Sequence, residues 1–153
     1  MGTFEVTRSA TVQADAAAVH ALLNDFREWT KWSPWEDVDP DLQRTYSGAE
    51  SGVGAKYAWS GNRKAGQGSM KITSSTPEQV GVELLFLKPF KASNDVTFIL
   101  TPTASGTEVT WRMTGEQKGV AALFGKIVNM DRLVGKDFEK GLTRLKANLE
   151  VPA

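Results

Sequence analysis

Two hydrophobic periods follow each other in the first part of the chain. From Phe4 to Val12 apolar and polar side chains alternate, which is the period of a half-buried strand, although Arg8 occupies an apolar position. Asp15 is a residue type that caps helix N-termini, and the apolar residues from Ala18 to Phe26 then recur at helical spacing. The pattern therefore predicts one strand followed by a short helix.

The middle of the chain, residues 42–117, has the character of a sheet. β-Branched and aromatic residues form short runs, and Gly-Asn, Thr-Pro, Lys-Pro and Ser-Gly pairs separate them. The connections are short enough for hairpins, so we expect an antiparallel meander. Six strands are predicted, near Leu42–Ser47, Ala55–Ser60, Gly66–Ser75, Gln79–Leu87, Ala92–Thr103 and Thr107–Glu116.

The last segment, residues 119–150, predicts an amphipathic helix. It contains no proline, and its apolar residues share one face at the helical period. Unbroken, such a helix would be about 45 Å long, enough to cross a sheet. The alternative is a break at Asn129, with Asp131 as the N-cap of a second helix. Both alternatives are compatible with the sequence.

The order of elements predicts an α+β fold in a single domain, residues 1–153. We expect a curved antiparallel sheet of seven strands, with the terminal helix as the one element large enough to cover a face. Strand parity places an unusually aromatic set of side chains on that face, and aromatic and methionine side chains line cavities adaptably. A small-molecule cavity between helix and sheet is therefore expected.

Two glycines lie on the sheet-facing side of the predicted terminal helix. Gly135 and Gly141 each lower helix stability by roughly 1 kcal/mol relative to alanine. They make room either for a bulky sheet residue such as Trp111 or for a ligand. The sequence allows both explanations.

Composition narrows the possible partners. The 153 residues include 18 basic and 18 acidic side chains, so no net field attracts phosphates, and we expect no nucleic-acid partner. Cysteine is absent, which removes disulfides and suits a reducing compartment. The apolar runs are far shorter than the ~18 residues of a membrane-spanning helix, and no signal peptide is visible. We expect a cytoplasmic protein, monomeric or weakly homodimeric, without stable membrane insertion.

A tryptophan-rich segment follows the first helix. Phe26, Trp29, Trp32 and Trp35 recur every three residues, which places their rings along one side of a helical turn. With the preceding Ala-Asp-Ala-Ala-Ala-Val-His-Ala-Leu-Leu-Asn-Asp, this segment resembles the opening of the polyketide cyclase/dehydrase branch of the START-like, or SRPBCC, superfamily. The resemblance extends over essentially the full length, in Thr45-Tyr-Ser-Gly, Gly52-Val-Gly-Ala, Leu87-Lys-Pro-Phe, Thr110-Trp-Arg-Met-Thr-Gly and Met130-Asp-Arg-Leu-Val-Gly-Lys-Asp-Phe-Glu-Lys-Gly-Leu.

The resemblance implies the helix-grip fold, with two short helices after strand 1 and a long C-terminal helix across the sheet. Members of the superfamily bind lipids, sterols, polyketides or plant hormones, and some are enzymes. We therefore expect this chain to bind a small hydrophobic ligand, namely a lipid, a polyketide or another aromatic or isoprenoid-like molecule. The predicted ligand-binding residues are Trp32, Trp35, Tyr57, Trp59, Met70, Leu84, Phe86, Phe98, Trp111, Phe124, Val134 and Phe138.

A polyketide cyclase- or dehydratase-like enzyme is the alternative, and it would use few polar groups. Arg8, Tyr57 and Asp131, with Tyr46, are the candidates for acid, base or oxyanion-stabilising roles. Arg8 points inward by strand parity, and Asp131 lies on the apolar face of a continuous helix. We hypothesise that these two charges pair inside the cavity, because a buried charge needs a partner. The small polar set favours a binding protein over an enzyme.

No metal or cofactor site is expected. A single histidine, His20, and no cysteine leave a catalytic triad or a zinc site without its parts. Asp37, Asp39 and Asp41 have the spacing of a calcium loop, but its required glycine and glutamate are missing from the sixth and twelfth positions.

Protein interaction is a third possible function. Trp32, Trp35 and Phe90 would then form an exposed patch, since clustered apolar side chains at a surface mark interaction sites. Exposure of these rings would support this alternative.

Overall fold

Seven antiparallel strands form one sheet in the order β1-β7-β6-β5-β4-β3-β2. The computed structural model describes residues 2–35, 39–62, 65–88, 91–117 and 130–150, without the side chains of residues 2–3, 116–117 and 130–133. The predicted antiparallel sheet is confirmed, with β2 to β7 in meander order and β1 beside β7. The strands are β1 Gly2–Val12, β2 Gln43–Gly48, β3 Ala55–Ser60, β4 Gln67–Thr76, β5 Gln79–Lys88, β6 Ala92–Thr103 and β7 Gly106–Gln117.

Glycines shape the chain before β3 and β4. Gly52 and Gly54 have φ angles of 70° and 96°, and Gly66 has a φ angle of 68°, a region that residues with a side chain rarely adopt. The register between β4 and β5 shifts between Gln67 and Gly68, the next two residues along β4. These glycines therefore allow the turns and the bulge that set the directions of β3 and β4.

Two short helices follow β1, as predicted. Helix α1 spans Ala16–Leu23, and the Asp15 carboxylate caps it by accepting a hydrogen bond of 2.9 Å from the Ala18 N–H. A 3-10 helix spans Phe26–Lys31, and its three residues per turn align side chains that recur every third position. The terminal helix, α2, spans Met130–Leu149. None of the helices in the described ranges is long and apolar enough to cross a membrane.

Three helical elements share the cover of the sheet. The backbone of α2 approaches β1, α1 and the 3-10 helix, while α1 approaches β5 to β7 and the 3-10 helix approaches β3. Helix α2 is the longest of the three, and the two short helices add to its cover in the described part of the chain. Helix α2 runs alongside β1, from Arg8 beside Gly135 to Gln13, whose N–H donates to Glu150.

Several predictions lie outside the described residues. The proposed break at Asn129 and the predicted ligand residue Phe124 fall in the segment 118–129, and Asp37 and Phe90 are also excluded. The backbone of Asp131 belongs to α2, but its side chain is not described.

Candidate functional site

Aromatic rings fill the space between α2 and the centre of the sheet. Trp32, Phe98, Trp111 and Phe138, which we name the core cluster, are each at most 1% exposed. The rings of Trp111 and Phe138 stack at a centroid distance of 4.0 Å with 7° between their planes. Phe98 and Trp32 lie 5.0 and 5.4 Å from Trp111. These are the separations of well-packed aromatic pairs, so the four rings fill one another's gaps.

A side chain from another element packs against each of the two glycines on the sheet-facing side of α2. A Cβ at Gly141 would lie 2.7 Å from Cζ3 of Trp111 and 3.0 Å from Cδ of Pro34, which is too close for ordinary packing. A Cβ at Gly135 would overlap the guanidinium of Arg8. Of the two explanations that the sequence allows, close packing therefore accounts for both glycines.

The tryptophan-rich segment is anchored by hydrogen bonds to α1. The indole N–H of Trp29 donates to the Leu23 carbonyl at 2.9 Å, and that of Trp32 donates to the Leu22 carbonyl at 3.0 Å. Both carbonyls belong to the last turn of α1, where the helix itself supplies no partner. The two indoles thus cap α1 and fix the entry of the 3-10 helix into the core.

The exposed patch required for a protein-interaction module does not form as predicted. Trp32 is 1% exposed, because its indole is drawn inward to the α1 carbonyl, so its predicted surface position is wrong. Trp35 is 37% exposed, and its ring meets Trp111 and Phe138 edge to face at 5.7 and 6.3 Å. The third ring, Phe90, lies outside the described residues.

A second group of predicted ligand residues lies on the inner face of β3, β4 and β5. Trp59, Met70 and Phe86 are partly exposed there, beside the buried side chains of Tyr57 and Leu84. We name these five residues the inner-face patch. Partly accessible aromatic and methionine side chains that converge on one face are typical of a hydrophobic ligand site.

Trp59 is held rigidly in this patch. Its indole N–H donates to the Ala65 carbonyl at 2.8 Å, and its ring lies over Gly68, where a Cβ would be 2.5 Å from Cη2. The ring meets Phe86 edge to face at 5.8 Å and stacks with Tyr57 at 6.2 Å. A fixed indole of this kind binds a ring at a low cost in side-chain entropy, because its rotamer is already set.

One polar side chain, Asn94, shares the inner face with the patch and is absent from the predicted set. Asn94 pairs with Leu84 of β5 on one side and with Gly115 of β7 on the other. It is 6% exposed. The sequence could have identified Asn94 by strand parity, because it lies two residues before Val96 and four before Phe98 and so faces the same side as these buried residues.

Two grooves open on the other face of the sheet. The larger, of about 1050 Å³, is lined by outer-face residues such as Leu85, Asp95 and Arg112, and it reaches Phe86 and Gly115 at the end of the sheet. The smaller, of about 290 Å³, lies behind β3, β4 and β5. The larger groove therefore adjoins the strand pair to which Asn94 belongs.

Arg8 lies on the side of the sheet that α2 covers, as strand parity predicts. Its Nε donates to a carboxylate oxygen of Glu139 at 2.9 Å, and the two side chains are 25% and 61% exposed. The Arg8–Asp131 pair stays a prediction, since the Asp131 side chain lies outside the described residues. Val134, a predicted ligand residue, packs against the core and is partly buried.

The two tyrosines considered for catalysis lie side by side. Their ring centroids are 5.3 Å apart, and Tyr57 is 5% exposed. The Arg27 guanidinium lies 4.7 Å from the ring centroid of Tyr46, a cation–π contact at the β2 edge of the sheet. Tyr57 therefore belongs to the wall of the inner-face patch, and Tyr46, its partner on β2, lies beside it on the same face.

Two ionisable groups outside this face, Asp39 and His20, have structural partners. The Asp39 carboxylate is buried and accepts hydrogen bonds from the N–H groups of Asp41 at 2.8 Å and Asn62 at 2.7 Å. His20 is partly buried, with Nε2 3.1 Å from Oγ of Ser75 of β4. Within the described ranges, no group of three or more His, Cys, Asp or Glu side chains is arranged to hold a metal ion.

The sequence profile of one protein family matches nearly the whole chain. The family is described as polyketide cyclase / dehydrase and lipid transport, and the match covers residues 3–150. No functionally curated protein is significantly similar to the chain in sequence.

Solved structures share the fold at low sequence identity. Protein CV1439 from Chromobacterium violaceum has a TM-score of 0.68 at 16% identity, over 98% of both chains. Ara h 8.0201 has a TM-score of 0.68 at 12% identity, over 97% of this chain and 98% of its own. The di-domain ARO/CYC StfQ from the steffimycin biosynthetic pathway has a TM-score of 0.72 at 12% identity, over 97% of this chain and 51% of its own. These likenesses confirm the predicted helix-grip fold.

Proposed function

Because the chain belongs to the polyketide cyclase / dehydrase and lipid transport family, we propose that it binds a small hydrophobic molecule against the inner-face patch. The family match and the shared fold confirm the SRPBCC resemblance of the sequence. The ligand would lie on β3, β4 and β5, beside the half of the sheet that α2 covers.

The observation that carries this proposal is the unequal packing of the inner face. Under α2 the core cluster is at most 1% exposed, whereas Trp59, Met70 and Phe86 stay partly exposed. Covering about 300 Å² of apolar surface contributes about 7 kcal/mol at ~25 cal/mol/Å², before the cost of immobilising the ligand. This gross term corresponds to a dissociation constant of about 10 μM, which is the upper limit of affinity from apolar contact alone.

The geometry of the patch favours a molecule that contains rings. Trp59 and Phe86 stand nearly perpendicular, with 86° between their planes, so a flat ring can stack on one and meet the edge of the other. Met70 adapts to the remaining outline, since its thioether chain is flexible. A polyketide or another aromatic or isoprenoid-like molecule fits this corner better than a single acyl chain. The expected setting is a cytoplasmic, monomeric or weakly dimeric carrier.

A fluorescence titration with 1-aminoanthracene, an apolar probe, tests the site. Met70→Glu places a carboxylate within the patch, and an apolar probe would have to strip water from that charge on binding. We expect micromolar affinity for the wild type and an affinity at least about tenfold lower for Met70→Glu.

Ser69→Glu is the matched control, because Ser69 precedes Met70 on β4 and faces the opposite side of the sheet. It adds the same charge, and we expect affinity close to that of the wild type. Equal losses in the two variants would contradict the site. No binding of any lipid, polyketide or aromatic probe, with no shift in melting temperature, would contradict the function.

A cyclase- or dehydratase-like reaction is the second candidate, favoured by the presence of Tyr57 and Asn94 on the same face. A phenol and an amide can both hydrogen-bond to a substrate carbonyl. A carrier returns its ligand unchanged, whereas an enzyme releases a product of different mass or absorption. Chromatography with mass detection, after incubation with a polyketide panel, separates the two, and Tyr57→Phe should slow any turnover observed.

A further inference from the structure

We infer that Asn94 is the hydrogen-bonding anchor of this ligand site, and that it selects apolar molecules with a neutral oxygen group, a carbonyl or a hydroxyl, at one end. The inference rests on the proposed function and adds a source of polar specificity to it. The apolar patch alone distinguishes ligands by shape and size, and a single buried amide also distinguishes them by chemistry.

Asn94 belongs to a row of inner-face residues that crosses the sheet. Met70 of β4 pairs with Leu84 of β5, and Leu84 pairs with Asn94 of β6. Two strand spacings separate Met70 from Asn94, a distance of about 10 Å. A small fused-ring molecule spans this distance, so one ligand can cover the patch and still reach the amide.

The amide lies over the backbone of β7. A Cβ at Gly115 would overlap Oδ1 of Asn94 and would lie 2.9 Å from Cε2 and Cζ of Phe4. Glycine at this position therefore leaves space for the Asn94 amide between the strands. The larger groove of the outer face reaches Gly115 and Phe86 at this end of the sheet, and Asn94 is not among its lining residues.

The amide has hydrogen-bonding capacity that the described chain leaves unused. Asn94 is 6% exposed, and no hydrogen bond of its side chain is found within the described ranges. The one buried side-chain polar atom without a partner in the described part of the chain is Nε1 of Trp111, so the Asn94 amide still contacts solvent at the edge of the apolar interior. A ligand oxygen or hydroxyl would replace that water as its hydrogen-bonding partner.

The surroundings of the amide favour a neutral ligand group. Its inner-face neighbours Leu84, Val96, Gly115 and Phe4 carry no charge. The amide offers two donors and one acceptor, which suit a carbonyl or a hydroxyl. A carboxylate would have to lose its water next to these apolar groups without a counter-charge from them.

The test compares two probes of similar shape, 2-acetylnaphthalene and 2-isopropylnaphthalene, of which the first alone carries a carbonyl. Calorimetric titration gives the ratio of their affinities for each variant. Asn94→Leu keeps the size of the side chain and removes the hydrogen bond. We therefore expect the affinity for the ketone, divided by the affinity for the hydrocarbon, to fall about fivefold to tenfold. Gly115→Ala keeps Asn94 but displaces its amide, and the ratio should fall in the same direction.

Thr114→Val is the control, because it removes a hydrogen-bonding side chain from the neighbouring position on the outer face of β7. Its affinity ratio should equal that of the wild type. An unchanged ratio in Asn94→Leu, with the hydrocarbon still bound, would overturn the inference and leave the proposed function intact. Binding of neither probe to the wild type would contradict both. Should Asn94→Leu fail to fold by circular dichroism, Gly115→Ala decides.

Discussion

At the scale of single residues, glycines mark where an indole packs closely against a neighbouring element. Gly141 of α2 receives Trp111, and Gly68 of β4 receives Trp59. In each pair the ring lies against backbone, where a methyl group would force it away. The pairs also distinguish the two parts of the inner face, since Trp111 is buried under α2 and Trp59 stays partly exposed.

Gly141→Ala should destabilise the protein, although alanine is the better helix former. Its Cβ would lie 2.7 Å from Cζ3 of Trp111 and 3.0 Å from Cδ of Pro34. Relieving such an overlap in a packed core costs about 1–3 kcal/mol, and the gain in helix propensity, about 1 kcal/mol, offsets part of it. Chemical denaturation measures the resulting loss in the free energy of unfolding.

Gly135→Ala is the matched control, because Gly135 lies on the same side of the same helix. Its Cβ would meet the guanidinium end of Arg8, the far end of a flexible side chain that can rotate away. We expect a stability within about 1 kcal/mol of the wild type. Equal destabilisation by the two substitutions would contradict the assignment of Gly141 to close packing against Trp111.

At the scale of elements, the strands are predictable because their signals are local. Alternation sets parity and turn residues end each run, so the predicted Ala55–Ser60 strand coincides with β3. The route of α2 depends instead on contacts between distant residues, such as Gln13 and Glu150, 137 positions apart. The hydrophobic period of a helix does not show which strands the helix will lie against. It therefore could not predict which ligand residues belong to the core cluster and which to the inner-face patch. The position of Asn94 could have been predicted, because strand parity alone places its side chain on the inner face.

Trp32→Phe should loosen the junction between α1 and the 3-10 helix. The Trp32 indole donates to the Leu22 carbonyl at 3.0 Å, and phenylalanine removes this donor together with part of a buried ring. An unpaired carbonyl and a smaller side chain together cost about 2–4 kcal/mol. The free energy of unfolding measures the loss, and hydrogen exchange of the α1 amides locates it.

Trp35→Phe is the comparison for this junction. Trp35 is 37% exposed, and phenylalanine retains most of the edge-to-face contact with Trp111. We expect a loss below about 1 kcal/mol. A loss as large as that of Trp32→Phe would contradict the role of the Trp32 indole as a cap on α1.

At the scale of the whole molecule, the inner face has two parts with different packing. On the β1 side, α2 and the core cluster form a filled interior that supports the fold. From β3 to β6, the inner-face patch and Asn94 present accessible apolar surface and one unused amide. Structures with 12% to 16% identity share the fold, so the fold alone does not define the function, which we propose depends on the residues that line this second part.

Native mass spectrometry of the protein purified from its host tests the central claim most directly. We predict a non-covalent adduct of one small organic molecule on the wild type, retained by Ser69→Glu and lost by Met70→Glu. The two substitutions add the same charge to opposite faces of β4, so their difference locates the ligand. An adduct that survives both substitutions would place the ligand away from the patch. A wild type without an adduct, and without a rise in melting temperature across lipids and polyketides, would contradict ligand binding itself.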